Sequence, residues 1–112
     1  MEGSANPRPS PHFAFTVGQV VRHKEQGFRG VIVDAHERFR GNPDQLELPP
    51  ALRQRVHLPW YELLIHGQPT VAYLPEDAVE TDLSCMPIAH PLLRMFFNEF
   101  RHGAYTVGGE EN

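Results

Sequence analysis

The chain has 112 residues, a formal net charge of −4 at neutral pH and a single cysteine. This length is enough for one domain with one core, and it is too short for the two-domain architectures of most cofactor-dependent enzymes. The 11 prolines and 9 glycines make up 20 of the 112 residues, which predicts a folded chain with many turns rather than a disordered one.

The charges are unevenly distributed along the chain. Residues 1–58 hold eight Lys/Arg and six Asp/Glu, whereas residues 59–112 hold two and eight. This distribution excludes a uniformly basic coat for nucleic acid but allows a local basic patch. We expect a cytoplasmic protein without membrane contact, because Cys85 has no disulfide partner and neither a signal peptide nor an apolar run of the ~20 residues that span a bilayer is visible.

The first predicted elements form a β-hairpin. Residues 13–23 predict a strand entered through Gly18, residues 25–27 carry turn chemistry, and residues 28–35 supply the returning strand. Within the returning strand, Val31-Ile32-Val33 is apolar on both faces. We therefore expect this strand to be central in the sheet and covered on both sides.

A long loop separates this hairpin from a second one. Residues 37–59 mix charges, glycine and prolines, with one short helical stretch predicted at 51–56; loops of this length are usually functional or mobile. Residues 60–65 and 71–74 then predict two strands around a tight turn. In the first of these strands, the alternation places Tyr61, Leu63 and Ile65 on one face. Residues 76–80 predict a single turn that runs into a last short strand.

The period of the apolar pattern changes near the C-terminus. One helical stripe is formed by Leu92, Leu93, Phe96, Phe97 and Phe100. Pro91 at the first helical position and Gly103 as a C-cap complete the prediction of a helix over about residues 91–101. The stripe is expected to cover the core, with a partner groove as the alternative, whereas Met95 lies off the stripe as an exposed candidate for protein contact.

These elements predict a mainly β fold, a small and strongly bent antiparallel barrel of about five strands with a C-terminal α-helix. We assign a single domain to residues 13–105, including the loop 37–59. Residues 1–12 and 106–112 are expected to be disordered tails.

No constellation of side chains predicts catalysis, a metal or a cofactor. The histidines lack zinc-ligand spacing, and neighbouring Glu76 and Asp77 point to opposite faces of an extended chain. Cys85 and His90 lack a third orienting group and an oxyanion nest, so Cys85 is expected to be a small buried thiol. The glycines do not form a phosphate-binding loop. We therefore expect a protein that is not an enzyme.

The basic residues of the first half are the candidate contacts for a partner. If the long loop folds over the first hairpin, they form one cationic face able to contact phosphates; the alternative is a loop kept soluble by its charges. The candidate DNA-binding or partner-binding residues are Arg22, Lys24, Arg29, Arg38, Arg40, Arg53 and Arg55.

Several blocks of the chain resemble the HspQ/YccV-like family, also called the hemimethylated DNA-binding domain. The blocks are Phe15 to Lys24 (with Val17-Gly18-Gln19 and Val21-Arg22-His23-Lys24), Gly27 to Asp34, Pro59-Trp60-Tyr61 with Leu63-Leu64, Ala72-Tyr73-Leu74 with Glu76, and His90-Pro91 ahead of a Phe-rich segment. The resemblance runs from about Phe13 to Tyr105 and implies an SH3-like β-barrel without catalytic residues.

The same resemblance implies two functions. The first is a non-enzymatic accessory factor for an ATP-dependent protease of the Lon type in the heat-shock or stress response, with the protease or its substrates as protein partners. The second is a regulator that binds hemimethylated, double-stranded DNA. A homo-oligomer remains open, because an unpaired sheet edge or surplus Phe and Met side chains favour association.

Overall fold

The computed structural model describes residues 13–41 and 48–107; the predicted tail residues 1–12 and 108–112 lie outside this part of the chain. The strands are β1 (Val20–His23), β2 (Arg29–His36), β3 (Trp60–Ile65), β4 (Val71–Pro75), β5 (Val79–Thr81), β6 (Glu99–Arg101) and β7 (Ala104–Thr106). Three single helical turns complete the fold: α1 (Pro50–Arg53), a 3-10 turn (Glu76–Ala78) and α2 (Leu93–Phe96).

Five of the strands form one antiparallel sheet in the order β4-β3-β2-β1-β5. This confirms the mainly β prediction, the two hairpins and the central position of β2. The sheet is not closed, because β4 and β5 are its edges and do not pair with each other. The predicted closure into a barrel is therefore not confirmed.

Apolar side chains cover both faces of this sheet. Val31 and Ile32 are adjacent in β2 and both fully buried, yet they belong to different core clusters. This is the two-sided burial that the β-branched sequence predicts. The first cluster contains Val20, Val31, Leu64, Ile88, Phe97 and Tyr105, and the second contains Val21, Ile32, Tyr61, Leu63, Ile65 and Val79.

The second cluster shows how the sheet bends. Val79 on the edge strand β5 belongs to it, and Ala72 and Leu74 on the opposite edge strand β4 pack against it. Both edges of the sheet thus bury side chains in the same core, which requires a strongly curved sheet. The 3-10 turn at Glu76–Ala78 connects these two edges directly.

The prediction of a C-terminal helix over about residues 91–101 is wrong. Helix α2 is one turn, and the chain returns to extended backbone at Phe97. Strand β6 then pairs with β7 through a tight turn in which His102 and Gly103 have φ values of 56° and 79°. Two successive residues with positive φ match the twist of a two-residue β-hairpin, so Gly103 is a hairpin glycine and not a helix C-cap.

The hairpin also changes which aromatic side chains are buried. Phe97 and Tyr105 enter the first cluster, whereas Leu92, Phe96 and Phe100 of the predicted core stripe remain exposed. Thr106, assigned from sequence to the C-terminal tail, is the last residue of β7. At the other end, residues 13–19 do not form the predicted strand, apart from one bridge between Gln19 and Ala104.

Candidate functional site in the basic residues and the C-terminal segment

Arg22 and Arg29 face each other across β1 and β2, and both are neutralised by carboxylates. Arg22 forms an exposed ion pair of 2.7 Å with Glu80. Arg29 lies 3.0 Å from Asp82, with side-chain exposures of 18% and 7%, and it also donates to the backbone carbonyl of Met86. Arg29 therefore attaches the segment after β5 to the sheet.

The pKa of the Asp82 carboxylate is lowered by its contacts with Ser84 and Arg29. Burial alone would raise its pKa, but the Ser84 hydroxyl and the Arg29 guanidinium both donate to it and hold the pKa below its ordinary value. Asp82 is thus held in its charged form, and Arg29 is engaged within the fold.

Arg53, Arg55 and Lys24 lie elsewhere. Arg55 forms an ion pair of 2.9 Å with Asp77, and it lines an open groove together with Lys24. Arg53 lies on α1 and donates from Nε to the Leu48 carbonyl. The predicted short helix in the loop is present as this single turn. Arg53 bonds within the loop, and Arg55 joins the loop to Asp77 of the 3-10 turn.

Arg38 and Arg40 line a separate groove of about 550 Å³, whose other lining residues are Phe13, Ala35, His36 and Glu37. Both arginines are exposed. Among residues 13–41 and 48–107, neither guanidinium has an ion-pair partner. Of the five predicted arginines outside α1, these two are the ones that lack a carboxylate partner in the described part of the chain.

An aromatic anchor holds the backbone between these two arginines. Phe39 is buried, and its ring centroid lies 4.8 Å from that of Trp60 and 5.6 Å from that of Tyr73. The Phe39 amide donates to the Val56 carbonyl, and the Arg40 amide donates to the Tyr73 hydroxyl at 2.9 Å. The backbone beside the groove is therefore fixed by one hydrogen bond to the end of the long loop, at Val56, and by one to strand β4, at Tyr73.

A chain of polar contacts continues from Tyr73 and was not predicted from the sequence. The Tyr73 hydroxyl lies 2.7 Å from His36 Nδ1, and His36 Nε2 lies 3.2 Å from an Asp34 carboxylate oxygen. Burial raises the pKa of Tyr73 above its ordinary value of 10.0, so its hydroxyl stays protonated to a higher pH than that of a solvated tyrosine. The spacing of Asp34 and His36 within one strand was the available signal, but only the fold brings Tyr73, 37 residues further on, to them.

That the candidate residues share one cationic face stays a prediction. Five of the seven line three grooves: Arg22 lines one, Lys24 and Arg55 line another, and Arg38 and Arg40 line the third. The acidic second half supplies Asp77, Glu80 and Asp82 as partners for three of the arginines. Three ion pairs thus join the basic first half of the chain to the acidic second half.

The C-terminal segment carries an exposed apolar surface. Met95 is 76% exposed, and its neighbours Leu92 and Phe96 on the same helical turn are also exposed. Beside this turn lies a groove of about 510 Å³ whose lining includes Leu93, Arg94, Phe97, Phe100 and Tyr105. Further exposed apolar side chains of the segment are Leu83, Met86 and Val107.

The side chains weighed as catalytic candidates have other contacts. Cys85 is exposed, so the prediction of a buried thiol is wrong; with a φ of 61° it lies in a turn beside Gly103. Both ring nitrogens of His90 face backbone groups, of Thr70 and Leu92. Within the described residues, no three His, Cys, Asp or Glu side chains cluster as metal ligands.

In the part of the chain that the structure describes, no helix has the length and apolar character needed to cross a membrane.

Fold and surface together define a small protein with a curved, open antiparallel sheet, whose distinguishing features are surface grooves. Its sequence from residue 13 to residue 104 matches the family described as hemimethylated DNA-binding protein YccV like. Because the match covers most of the 112 residues, the chain belongs to the YccV-like family. The resemblance stated from the sequence is confirmed.

Proposed function

We propose that this protein is a non-enzymatic binding module that acts through protein contact, as an accessory factor for an ATP-dependent protease of the Lon type in the heat-shock or stress response. The observation that carries the proposal is the exposed apolar surface around Met95 and Phe96 on α2. Small monomeric proteins rarely leave large apolar patches exposed unless they bind a partner. Methionine is suited to such contacts because its flexible side chain adapts to different partners.

The distribution of charge supports the same proposal. Three arginines that would strengthen binding to a polyanion are paired with carboxylates of the same chain. A protein surface with mixed charges and exposed Met and Phe side chains is more typical of protein contact than of a nucleic-acid track.

A reconstituted degradation assay tests this proposal. The cognate protease and a substrate are incubated with and without this protein, and the rate of substrate loss is compared. We expect the wild-type protein to raise the rate and Met95→Lys to abolish the increase, because a charge on the apolar surface opposes its burial. Val71→Lys, which places the same charge on a 47% exposed apolar residue of edge strand β4, is the matched control and should retain the increase.

The proposal is contradicted if the wild-type protein leaves substrate turnover unchanged and forms no complex with protease or substrate on a sizing column.

The proposal of a non-enzymatic module also predicts that Cys85→Ala leaves every activity intact, because the thiol has no catalytic role in it.

A second candidate function is binding of double-stranded DNA, and the family description favours it. Residues Arg38 and Arg40 supply cationic side chains without carboxylate partners among the described residues. Fluorescence anisotropy with unmethylated, hemimethylated and fully methylated duplexes of one sequence tests it. Tighter binding to the hemimethylated duplex is expected. Absence of binding at low salt contradicts this function and leaves the first proposal unaffected.

A further inference from the structure

The groove beside Arg38 and Arg40 has the properties of a site for oxyanions. A guanidinium presents several donors in a planar fork that matches the oxygens of a phosphate, and two guanidinium side chains line this groove. His36 and Phe13 also line the groove, but both ring nitrogens of His36 are engaged, with the Tyr73 hydroxyl and the Asp34 carboxylate. Glu37 is the one carboxylate of this lining, and it pairs with neither arginine within the described residues.

The arginines are mounted on a backbone that is held in place before a ligand arrives. Phe39, which lies between them in sequence, is only 8% exposed. Its amide is bonded to the Val56 carbonyl at 2.9 Å, and the next amide, of Arg40, is bonded to the Tyr73 hydroxyl. The backbone of Phe39 and Arg40 is thus held before a ligand arrives, which lowers the entropic cost of binding.

Two other exposed arginines of the predicted set do not share these properties. Arg22 and Arg55 are also exposed, but each lies within 3 Å of a carboxylate oxygen, of Glu80 and Asp77 respectively. A phosphate that approached either of them would have to displace a carboxylate or be repelled by it. The contrast between the paired and the unpaired arginines makes the groove the favoured place for an anion.

We propose that this groove binds the backbone phosphates of double-stranded DNA and supplies affinity that does not depend on methylation. The proposal rests on the second candidate function and assigns it a site. Contacts between guanidinium groups and phosphates position a protein on the duplex but carry no sequence information directly. Any preference for a hemimethylated site must then arise from other residues.

The dependence of duplex binding on salt concentration tests this site. The affinity of the full chain is measured by fluorescence anisotropy over a series of salt concentrations, on the unmethylated, hemimethylated and fully methylated duplexes. In the double variant Arg38→Ala/Arg40→Ala, we expect the slope of log affinity against log salt to become shallower by about 1 for each guanidinium removed. The loss of affinity should be equal on all three duplexes.

Two further variants separate charge from structure. Arg22→Ala/Arg55→Ala removes the same two charges from paired positions and should leave the slope close to that of the wild type. Arg38→Lys/Arg40→Lys keeps the charges and should retain most of the slope, which would not be expected if the alanine variant had merely lost its fold.

The site is overturned if the wild-type protein binds the duplex and the Arg38/Arg40 alanine variant binds it with the same slope, or if the control pair flattens the slope equally. In that case DNA binding survives and only its assignment to this groove fails. If the wild-type protein binds no duplex at low salt, the second candidate function fails, and the groove assignment fails with it.

Discussion

Tyr61 joins three segments of the chain through one hydroxyl group. Its ring is fully buried, and its hydroxyl donates to a carboxylate oxygen of Glu76 at 2.6 Å while accepting from the Phe15 amide at 3.3 Å. The same Glu76 carboxylate accepts from the Ala14 amide. Strand β3, the 3-10 turn and the N-terminal residues of the domain are thus held at one point. Phe13, which lines the groove of Arg38 and Arg40, packs edge-on against the Tyr61 ring.

This arrangement predicts a loss of stability at alkaline pH. Burial and the hydrogen bond to Glu76 raise the pKa of Tyr61 well above its ordinary value of 10.0. The unfolded tyrosine therefore ionises first, so the stabilisation is fully present below pH 10 and is lost as the pH rises above it. We expect Tyr61→Phe to lower the free energy of unfolding by about 1–2 kcal/mol at neutral pH and to show a shallower decline above pH 10.

Denaturant unfolding of both proteins at a series of pH values between neutral and alkaline provides the measurement. An equally steep decline in wild type and Tyr61→Phe would contradict the role given to this hydroxyl.

At the scale of elements, one glycine allows the C-terminal hairpin to join the sheet. Gly18 has a φ of 95°, and its amide donates to the Ile32 carbonyl while its carbonyl accepts from the Tyr105 amide. A Cβ atom at Gly18 would lie 2.1 Å from the Tyr105 carbonyl oxygen. The Tyr105 hydroxyl in turn accepts from the Ile88 amide. The close approach at Gly18 therefore positions Tyr105 and Ile88, both of which belong to the first core cluster.

We expect Gly18→Ala to destabilise the fold by more than the roughly 1–3 kcal/mol that a positive φ alone costs, because backbone must also move. Gly27→Ala is the matched control: it has a φ of 79°, but a Cβ there meets nothing within 4 Å. Denaturant unfolding of the two variants compares strain alone with strain plus a clash. Equal losses of stability would show that the contact with Tyr105 is unimportant.

Some elements of the fold can be predicted from the local sequence pattern, and others cannot. The bounds of β3 follow from its local apolar pattern, and the burial of Val31 and Ile32 on opposite faces follows from a continuous β-branched apolar run; both predictions are confirmed. The prediction for the C-terminal segment is wrong because its apolar residues also fit a helical period. The pairing of Phe100 with Tyr105 across a tight turn, which sets the actual conformation, has no signal in that period.

The partners of the arginines could not be predicted from the sequence for a different reason. The sequence identified the basic residues, but the carboxylates that neutralise Arg22 and Arg29 lie 58 and 53 residues away along the chain. Such contacts depend on the sheet order, which brings β5 beside β1. Local patterns therefore found the candidates for binding, and only the three-dimensional structure separated the two unpaired arginines from the paired ones.

Across the whole molecule, the basic first half and the acidic second half are joined by ion pairs that differ in burial. The Arg22 and Glu80 side chains are 50% and 40% exposed, whereas those of Arg29 and Asp82 are 18% and 7% exposed. Exposed pairs contribute little because water and salt screen them. Breaking a buried pair costs more, since it leaves one charge without a partner in a poorly solvated place.

This difference predicts unequal effects of two otherwise identical substitutions. We expect Arg22→Met to change the free energy of unfolding by less than about 1 kcal/mol and Arg29→Met to lower it by about 3 kcal/mol, because Arg29→Met leaves Asp82 charged and unpaired. Methionine keeps much of the apolar stem of each side chain, so the comparison isolates the guanidinium group. Denaturant unfolding at neutral pH measures both, and similar losses in the two variants would contradict the ranking.

The pH dependence gives a second readout of the same pair. The lowered pKa of Asp82 means that its stabilisation is present above the unfolded value of 3.8 and is lost as the pH falls through the folded value. Arg29→Met removes one of the donors that lower this pKa, so its stability should fall less than that of the wild type between neutral and acid pH. A parallel decline in the two proteins would show that Arg29 does not stabilise the Asp82 carboxylate, and the exposed Arg22–Glu80 and Arg55–Asp77 pairs would then be the remaining ionic links of this kind among the described residues.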